Sequence, residues 1–234
     1  MSTPPAAQVA PAVVVLDVNE TLSDLRGLAP RLEEVGAPSG LLLPWFAATL
    51  RDGFALTAAG TLADFAAIGT STLSSMLDDV DGLSGSPGDA AEHVVSGMAE
   101  LDLHPDVAPG VRALARAGVR IVTLSNGAAR VAESLLDRAG IRDLVERCLS
   151  SSDAGRWKPA PEAYAYAAEC CGVEAADAVL IAVHPWDIDG AARAGLRTGW
   201  LAREGRAYPP FFRAPEFTAR DLPGLAAALS GQRS

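Results

Sequence analysis

The sequence predicts an α/β fold, a Rossmann-like parallel sheet core with an inserted helical cap domain. Two observations predict it. Short apolar, β-branched runs typical of strands buried on both faces occur near the start of the chain and again in its second half, where they alternate with helix-like segments. Residues 41–98, by contrast, show helical spacing without any β-branched run. We therefore expect a core domain over 1–22 and 105–234 and a helical cap domain over 23–104.

The composition narrows the function classes. Of the 234 residues, 49% are apolar and 21% are charged, as in an ordinary globular protein. A net charge of −10 disfavours nucleic acid or an anionic membrane surface as a partner, and no apolar stretch approaches the length of a membrane span. Cys148 and the adjacent Cys170 and Cys171 lack metal-type spacing, which predicts reduced thiols and a cytoplasmic location.

The first predicted strand, over 13–16, ends at Asp17. In open α/β sheets the carboxyl ends of the strands are where ligands bind. A carboxylate held there is ionised at neutral pH and is suited to nucleophilic attack, because its ester can later be hydrolysed. Thr21 lies four residues on and can hold Asp17 by a hydroxyl hydrogen bond. The simpler alternative is an aspartate that caps the next helix.

The remaining elements follow in chain order. Residues 23–38 carry a helix-like pattern, and 41–98 predict several helices with a Gly- and Pro-rich loop over 78–89. The alternation then resumes with short connections, which favours a parallel sheet with right-handed crossovers. The predicted strands lie at 119–124, 144–150, 178–183 and 198–201, and the predicted helices lie at 111–117, after residue 127, at 161–171 and at 188–194.

Polar side chains follow the buried strands where each strand ends. They are Asp17 with Thr21, Ser125 with Asn126, Lys158, and Asp187. Because the carboxyl ends of parallel strands share one edge of the sheet, we expect these groups to meet. The Lys158 ammonium between the two carboxylates would keep Asp17 ionised, since two neighbouring carboxylates otherwise raise each other's pKa. A surface lysine and a helix-capping aspartate are the alternatives for Lys158 and Asp187.

These segments resemble the four motifs of the haloacid dehalogenase superfamily. The matching stretches are Asp17-Val-Asn-Glu-Thr21, Thr-Leu-Ser125-Asn-Gly, Lys158-Pro, and Trp186-Asp187 followed by Gly190-Ala191. The resemblance covers nearly the whole chain, including the helical stretch between the first and second motifs, which the superfamily uses as a cap. It implies the superfamily's fold.

Two positions indicate the branch of the superfamily. Its phosphatases resemble Asp-x-Asp-x-Thr, in which the second Asp protonates the leaving alcohol, whereas this chain has Asn19 there. An acidic position of their fourth motif falls here on Val183, which cannot bind a hard cation such as magnesium. Halide leaves a carbon–halogen bond without a proton, so the resemblance points to the metal-independent type II 2-haloacid dehalogenases, with no cofactor.

The resemblance implies a reaction on an aspartyl ester. Asp17 would attack the halogen-bearing carbon and expel halide, and water activated near Asp187 would then hydrolyse the ester. Lys158 would stabilise the charges and Thr21 would hold Asp17. Tyr164, in Lys158-Pro-x-Pro-Glu-x-Tyr164, would orient Lys158.

Substrate binding is implied for a second group of residues. Ser125 would bind the substrate carboxylate, and Asn126 would lie beside the halide. His184 stands where the family has an asparagine and would donate to a carboxylate or help to activate water; packing beside Trp186 is the alternative. An apolar pocket is expected to be lined by Phe46, Phe54, Trp45 and Trp186, although core packing also explains most aromatic residues of this kind.

The cap departs from the family pattern at one position. In the dehalogenases an arginine that follows a tryptophan meets the substrate or the leaving halide, whereas here Trp45 is followed by Phe46. Arg51, from the next helical turn, is the candidate substitute; an exposed helix arginine is the alternative.

Three functions remain open at this stage. The first is hydrolytic dehalogenation of small 2-haloacids, of the haloacetate or L-2-haloalkanoate class. The second is a magnesium-dependent phosphatase of the same superfamily, and the third is a catalytically weak binding protein on the same fold. The resemblance also raises a homodimer as an expectation. The halogen, chain length and stereochemistry accepted are left open.

Overall fold

The computed structural model describes residues 10–203 and 205–231. The predicted core domain therefore has parts, residues 1–9, 204 and 232–234, that lie outside the described residues. Within the described ranges the strands are β1 (Val13–Leu16), β2 (Arg120–Ser125), β3 (Arg147–Ser150), β4 (Ala178–Ala182), β5 (Arg197–Leu201) and β6 (Phe217–Ala219). The α-helices there are α1 (Ala29–Glu34), α2 (Leu42–Ala58), α3 (Phe65–Leu77), α4 (Pro87–Ser96), α5 (Val107–Arg116), α6 (Ala129–Arg138), α7 (Pro161–Cys171), α8 (Pro185–Arg193) and α9 (Leu222–Leu229).

The six strands form one sheet in the order β3-β2-β1-β4-β5-β6, and every neighbouring pair is parallel. The chain moves outward on one side of β1 through β2 and β3, and then on the other side through β4, β5 and β6. Strand order thus reverses beside β1, which is where α/β sheets of this kind bind ligands. The predicted parallel α/β fold is confirmed.

Strand β1 lies at the centre of the core, and all four of its side chains are fully buried. Val14 and Leu16 face the apolar cluster that also holds α2, α5 and α9, whereas Val13 and Val15 face the cluster formed with α7 and α8. This alternation follows from the two-residue period of a strand. Because both faces of β1 are covered, an uninterrupted apolar run correctly predicts this strand.

Helices α1 to α4 fill the stretch between β1 and α5, as expected for the inserted cap. The two connections to this stretch run side by side, because Asp24 N–H donates to Asp102 C=O and His104 N–H donates to Leu22 C=O. The predicted boundaries at 22/23 and 104/105 fall at these connections, and as domain limits they stay a prediction. In the described ranges, no helix combines the length and the apolar character needed to span a membrane.

The last strand and the last helix were not predicted from the sequence. Strand β6 adds to the edge of the sheet beside β5, and α9 packs against α5 on one face. Segment 23–38 also differs from a single helix, since it forms a 3₁₀ turn at Leu25–Leu28 before the short α1. The Asp24 side chain caps the start of the 3₁₀ turn by accepting the Arg26 N–H.

Candidate active site

The carboxyl edge of the sheet gathers the predicted reaction residues. Asp17 follows β1 directly, Ser125 ends β2 and is followed by Asn126, and Asp187 lies in the first turn of α8 after β4. Lys158 arrives from the loop that precedes α7. Residues separated by up to 170 positions in sequence therefore meet because their strands are neighbours in the sheet.

Lys158 joins the two carboxylates. Its Nζ donates to Asp17 Oδ1 at 2.7 Å and to Asp187 Oδ2 at 2.7 Å, and its side chain is fully buried. A buried ammonium is costly unless it is paired. The two short ion pairs meet that requirement and bind three loops of the sheet edge together.

The shared lysine leaves the two carboxylates in different states. Burial raises the pKa of Asp17, but Lys158 and His184 outweigh that effect and hold the pKa well below its usual range. Burial also raises the pKa of Asp187, and the charge of Asp17 adds to the rise while Lys158 opposes it. For Lys158, burial lowers the pKa, but the two carboxylates raise it above the ordinary value. Asp17 is therefore the more firmly ionised carboxylate and Asp187 the more basic one.

Tyr164 supports Asp187 rather than Lys158. Its hydroxyl donates to Asp187 Oδ1 at 2.6 Å, and its side chain is fully buried in α7. Burial and the Asp187 charge raise the pKa of Tyr164 well above 10.0, which keeps the hydroxyl protonated as a donor. The predicted contact with Lys158 is thus indirect and passes through Asp187.

Thr21 holds the other side of the nucleophile candidate. Its Oγ1 donates to Asp17 Oδ2 at 2.6 Å and accepts the Val183 N–H at 3.1 Å. Because Val183 supplies a donor to the hydroxyl oxygen, the hydroxyl hydrogen is left to point at Asp17. This contact joins the loops that follow β1 and β4.

His184 joins the cluster through both ring nitrogens. Nδ1 lies 3.3 Å from Asp17 Oδ2, and Nε2 lies 2.8 Å from Glu20 Oε2. Burial by itself lowers the pKa of His184, but Asp17 and Glu20 raise it to about 9. Sequence reasoning did not single out Glu20, because a glutamate inside a loop motif carries no signal of a partner 164 positions away.

Asn126, which was predicted to lie beside the halide, bonds to the backbone of Lys158. Its Nδ2 donates to Lys158 C=O at 3.1 Å, and its Oδ1 accepts from Lys158 N–H and Ser151 Oγ at 2.8 Å each. The amide therefore fixes the backbone of Lys158. Ser125 is buried beside it, and its hydroxyl accepts the Gly127 N–H at 2.9 Å.

Aromatic rings cover the cluster. The His184 ring stacks on Trp186 at 5.1 Å between centroids and lies 6.2 Å from Phe46. Trp186 also lies edge-on to Phe54 at 5.0 Å, and its ring centroid is 6.0 Å from Lys158 Nζ. Phe46 and Trp186 thus lie beside the cluster, as expected for an apolar wall. Phe46 and Phe54 belong to α2, so that this helix of the predicted cap packs against the cluster.

Arg51 is the predicted site residue that the structure does not bring to the cluster. Its guanidinium is exposed and bonds to the neighbouring Asp52 at 2.7 Å. On an α-helix, five positions place Arg51 about 140° around the axis from Phe46. Since Phe46 faces inward, Arg51 faces solvent, and the expectation that it replaces the cap arginine is wrong. Trp45 is a core residue, and its indole N–H donates to Gly69 C=O at 2.8 Å.

The cluster does not fit the magnesium used by superfamily phosphatases. Lys158 Nζ already bonds to both carboxylates, and the further positions offer the Asn19 amide and the apolar Val183. A hard cation prefers a shell of oxygen ligands. No group of three or more His, Cys, Asp or Glu side chains suited to a metal ion occurs among residues 10–203 and 205–231.

The fold and this cluster define a class of protein, one with a parallel α/β sheet whose ionised side chains converge where the strand order reverses. The sequence model of the haloacid dehalogenase-like hydrolases matches residues 12–195. The chain belongs to this family, which confirms the resemblance carried by the four motifs and identifies the fold as the haloacid dehalogenase fold.

Known relatives include several dehalogenases. The chain is 28% identical to (S)-2-haloacid dehalogenase 4A of Burkholderia cepacia over 203 residues, which cover 84% of each chain. It is 31% identical to haloacetate dehalogenase H-2 of Moraxella sp. over 114 residues, 49% of this chain, so that this match spans about half (51%) of the relative's length. A phosphatase of Mycobacterium tuberculosis is 34% identical over 136 residues, 57% of this chain and 59% of that protein.

Solved structures agree with the sequence relatives. An L-2-haloacid dehalogenase superimposes with a TM-score of 0.86 at 26% identity, covering 94% of this chain and 99% of its own. These neighbours confirm that the chain resembles the 2-haloacid dehalogenase branch.

Proposed function

We propose that this protein hydrolyses the carbon–halogen bond of small 2-haloacids through an ester on Asp17, without a metal ion. The observation that carries the proposal is the buried Asp17–Lys158–Asp187 cluster, in which an ammonium stands between the two carboxylates. A nucleophilic carboxylate needs to be ionised, and a second carboxylate with a raised pKa suits a base. Relatives named as 2-haloacid and haloacetate dehalogenases support the substrate class.

The first step is substitution at the halogen-bearing carbon. Thr21 and His184 both lie at Asp17 Oδ2, whereas Oδ1 has one donor, Lys158, and keeps a lone pair for attack. Oδ1 forms a bond to carbon 2, and the halide leaves with the electron pair of the carbon–halogen bond. The Ser125 hydroxyl, whose oxygen already accepts Gly127 N–H, would donate its hydrogen to the substrate carboxylate.

The second step is hydrolysis of the ester. Water adds to Cγ of Asp17, and Asp187 takes one of its protons. Breaking of the Cγ–Oδ1 bond releases the 2-hydroxy acid, whose carbon 2 is inverted because only the first step occurs there. The rings of Phe46, Phe54 and Trp186 pack near the cluster and would favour short substrates.

A magnesium-dependent phosphatase is the second candidate, because one relative is a phosphatase. Asn19 lacks the proton that an alkoxide leaving group needs, and Lys158 holds the carboxylate oxygens. Both features favour a halide as the leaving group. A homodimer and a cytoplasmic location, expected from the sequence, stay predictions.

The test measures halide release from chloroacetate and L-2-chloropropionate in EDTA, with p-nitrophenyl phosphate plus magnesium assayed in parallel. We expect halide release in EDTA and no phosphate release. Asp17→Asn removes the nucleophile and should lower halide release by at least about 10³-fold. The matched control is Asp52→Asn at an exposed aspartate. Magnesium-dependent phosphate release alone would contradict the proposal.

A further inference from the structure

The ring of His184 lies between two carboxylates. Nδ1 faces Asp17 Oδ2 at 3.3 Å and Nε2 faces Glu20 Oε2 at 2.8 Å. An ionised carboxylate accepts hydrogen bonds and donates none. With both carboxylates ionised, each ring nitrogen has to carry a hydrogen, and this geometry then favours an imidazolium.

Glu20 is held in place for this contact. Its φ of +60° is in the left-handed region, which a glutamate adopts at a cost in free energy. Its carbonyl accepts hydrogen bonds from His104 Nε2 at 3.0 Å and from Arg203 Nη1 at 3.5 Å. Arg203 is itself fixed by Asp106 at 2.9 Å. Backbone strain that is overdetermined by neighbours in this way is typical of functional positions.

We infer that Glu20 is a positioning residue that keeps His184 doubly protonated, and that His184 Nδ1–H and the Thr21 hydroxyl form the oxyanion hole for hydrolysis of the Asp17 ester. The inference rests on the proposed ester mechanism and extends it. Both donors lie at the same oxygen, Asp17 Oδ2, which becomes the carbonyl oxygen once Oδ1 carries the substrate.

Hydrolysis takes place at Cγ of the Asp17 ester. Water oxygen forms a bond to Cγ and gives one proton to Asp187, while the π pair of the carbonyl moves onto Oδ2. The Nδ1–H and the Thr21 O–H stabilise that charge without losing their protons. When the π bond reforms, the Cγ–Oδ1 bond breaks, the product oxygen takes the proton from Asp187, and the Asp17 carboxyl proton passes to solvent.

The charged surroundings of His184 come from several elements. Asp17 after β1 and Glu20 in the next loop contact the ring directly, and Lys158 and Asp187 act through Asp17. Helix α2 contributes Phe46, and α8 contributes Trp186, both uncharged. Near Glu20, burial and Arg203 lower the pKa of His104, so that His104 is neutral across the alkaline range. Asp17 and Glu20 are thus the groups that raise the pKa of His184, to about 9.

The test replaces Glu20 by glutamine, which keeps the length and the acceptor but removes the charge. We expect the alkaline limb of the kcat profile for chloroacetate to move down by roughly 1 to 3 pH units. Above that limb, loss of one oxyanion donor should lower kcat by about 10²-fold. Mass spectrometry of acid-quenched enzyme should then detect accumulated Asp17 ester, which a merely structural role for Glu20 would not produce.

A matched control exists on the surface. His93 Nε2 pairs with Glu34 Oε2 at 2.9 Å, with both side chains well exposed. Glu34→Gln should leave the profile of the wild type unchanged. Glu20→Gly is the second variant, because glycine adopts φ +60° without strain and so removes the carboxylate even if E20Q folds poorly.

The outcomes separate this inference from the proposed function. Absence of halide release by the wild type would overturn both. An active wild type with an unmoved alkaline limb in E20Q and E20G would overturn the role of Glu20 alone. An NMR titration of the His184 ring in the resting protein is independent of turnover, and an unchanged pKa in E20Q would also contradict the inference.

Discussion

At the level of single residues, Asp17 and Asp187 share the ammonium of Lys158, but their pKa values are shifted in opposite directions. Burial raises the pKa of both, but Lys158 and His184 together lower that of Asp17, whereas the charge of Asp17 adds to the rise at Asp187. Pairs of carboxylates whose surroundings separate their pKa values divide the roles of nucleophile and base between them. The proposed roles follow from these surroundings rather than from the residue type.

The titration of His184 gives a prediction about stability. Its pKa is about 9 in the folded protein against 6.5 for an unperturbed histidine. The stabilisation is fully present below pH 6.5 and is lost as the pH rises through 9. Between these values the free energy of unfolding should fall by about 1 kcal/mol per pH unit. Urea unfolding of the wild type and of His184→Gln from pH 6 to 10 measures this loss as the difference between the two proteins.

The control for that titration is His93→Gln at the exposed pair with Glu34. Its unfolding free energy should follow the wild type across the alkaline range. If the wild type and His184→Gln lost stability in parallel as the pH rises, the two carboxylates would not be keeping His184 protonated.

Sequence reasoning predicted the cluster because each of its residues follows a strand. Asp17, Lys158 and Asp187 could be placed together because the carboxyl ends of parallel strands share one edge of the sheet. The contact between Glu20 and His184 could not, because it depends on a left-handed backbone residue and on how two loops approach each other. Arg51 was misplaced because a residue pattern locates a helix better than it fixes which side chain of that helix faces inward.

At the scale of elements, α7 and α8 approach closely at Gly190. A Cβ at this position would lie 2.6 Å from Tyr164 Oη and 2.6 Å from Pro159 Cβ, and 3.0 Å from the Pro159 carbonyl oxygen. The close approach lets Tyr164 reach Asp187. The Gly-Ala pair after Asp187 in the fourth motif is therefore explained by packing.

Gly190→Ala tests this contact. Overpacking should lower the free energy of unfolding by about 1 to 3 kcal/mol. Displacement of Tyr164 from Asp187 should lower kcat by roughly 10- to 100-fold. Thermal unfolding and halide release measure the two effects.

Gly40→Ala is the matched control, since a Cβ there meets nothing within 4 Å and the residue is exposed. It should leave both quantities near the wild-type values. If Gly190→Ala behaved like Gly40→Ala, the helix contact would not position Tyr164.

The strands could be located from sequence to within a few residues, because fully buried parallel strands are unbroken apolar runs. Predicted strand 178–183 is observed as Ala178–Ala182, and 198–201 as Arg197–Leu201. The edge strand Phe217–Ala219 was missed, since three residues of which one is exposed and one is partly exposed give no such run. Its pairing with β5 depends on the rest of the sheet.

At the scale of the whole molecule, the charges oppose the proposed substrate. The chain carries a net charge of −10, and a small haloacid is itself an anion. The overall field therefore does not attract substrate. Binding must depend on local groups at the carboxyl edge of the sheet, where Lys158 and His184 are cationic and α2 supplies the aromatic cover. We expect that this local arrangement, and not the overall charge, determines which acids enter.

In the proposed mechanism, the oxygen delivered to the substrate comes from Asp17. The measurement is a single turnover in H₂¹⁸O with enzyme in excess over L-2-chloropropionate, followed by mass spectrometry of the product and of the peptide that contains Asp17. We expect an unlabelled 2-hydroxy acid and one ¹⁸O in the Asp17 carboxylate. Labelled product with an unlabelled Asp17 would show that water attacks the carbon directly, and would contradict the ester mechanism.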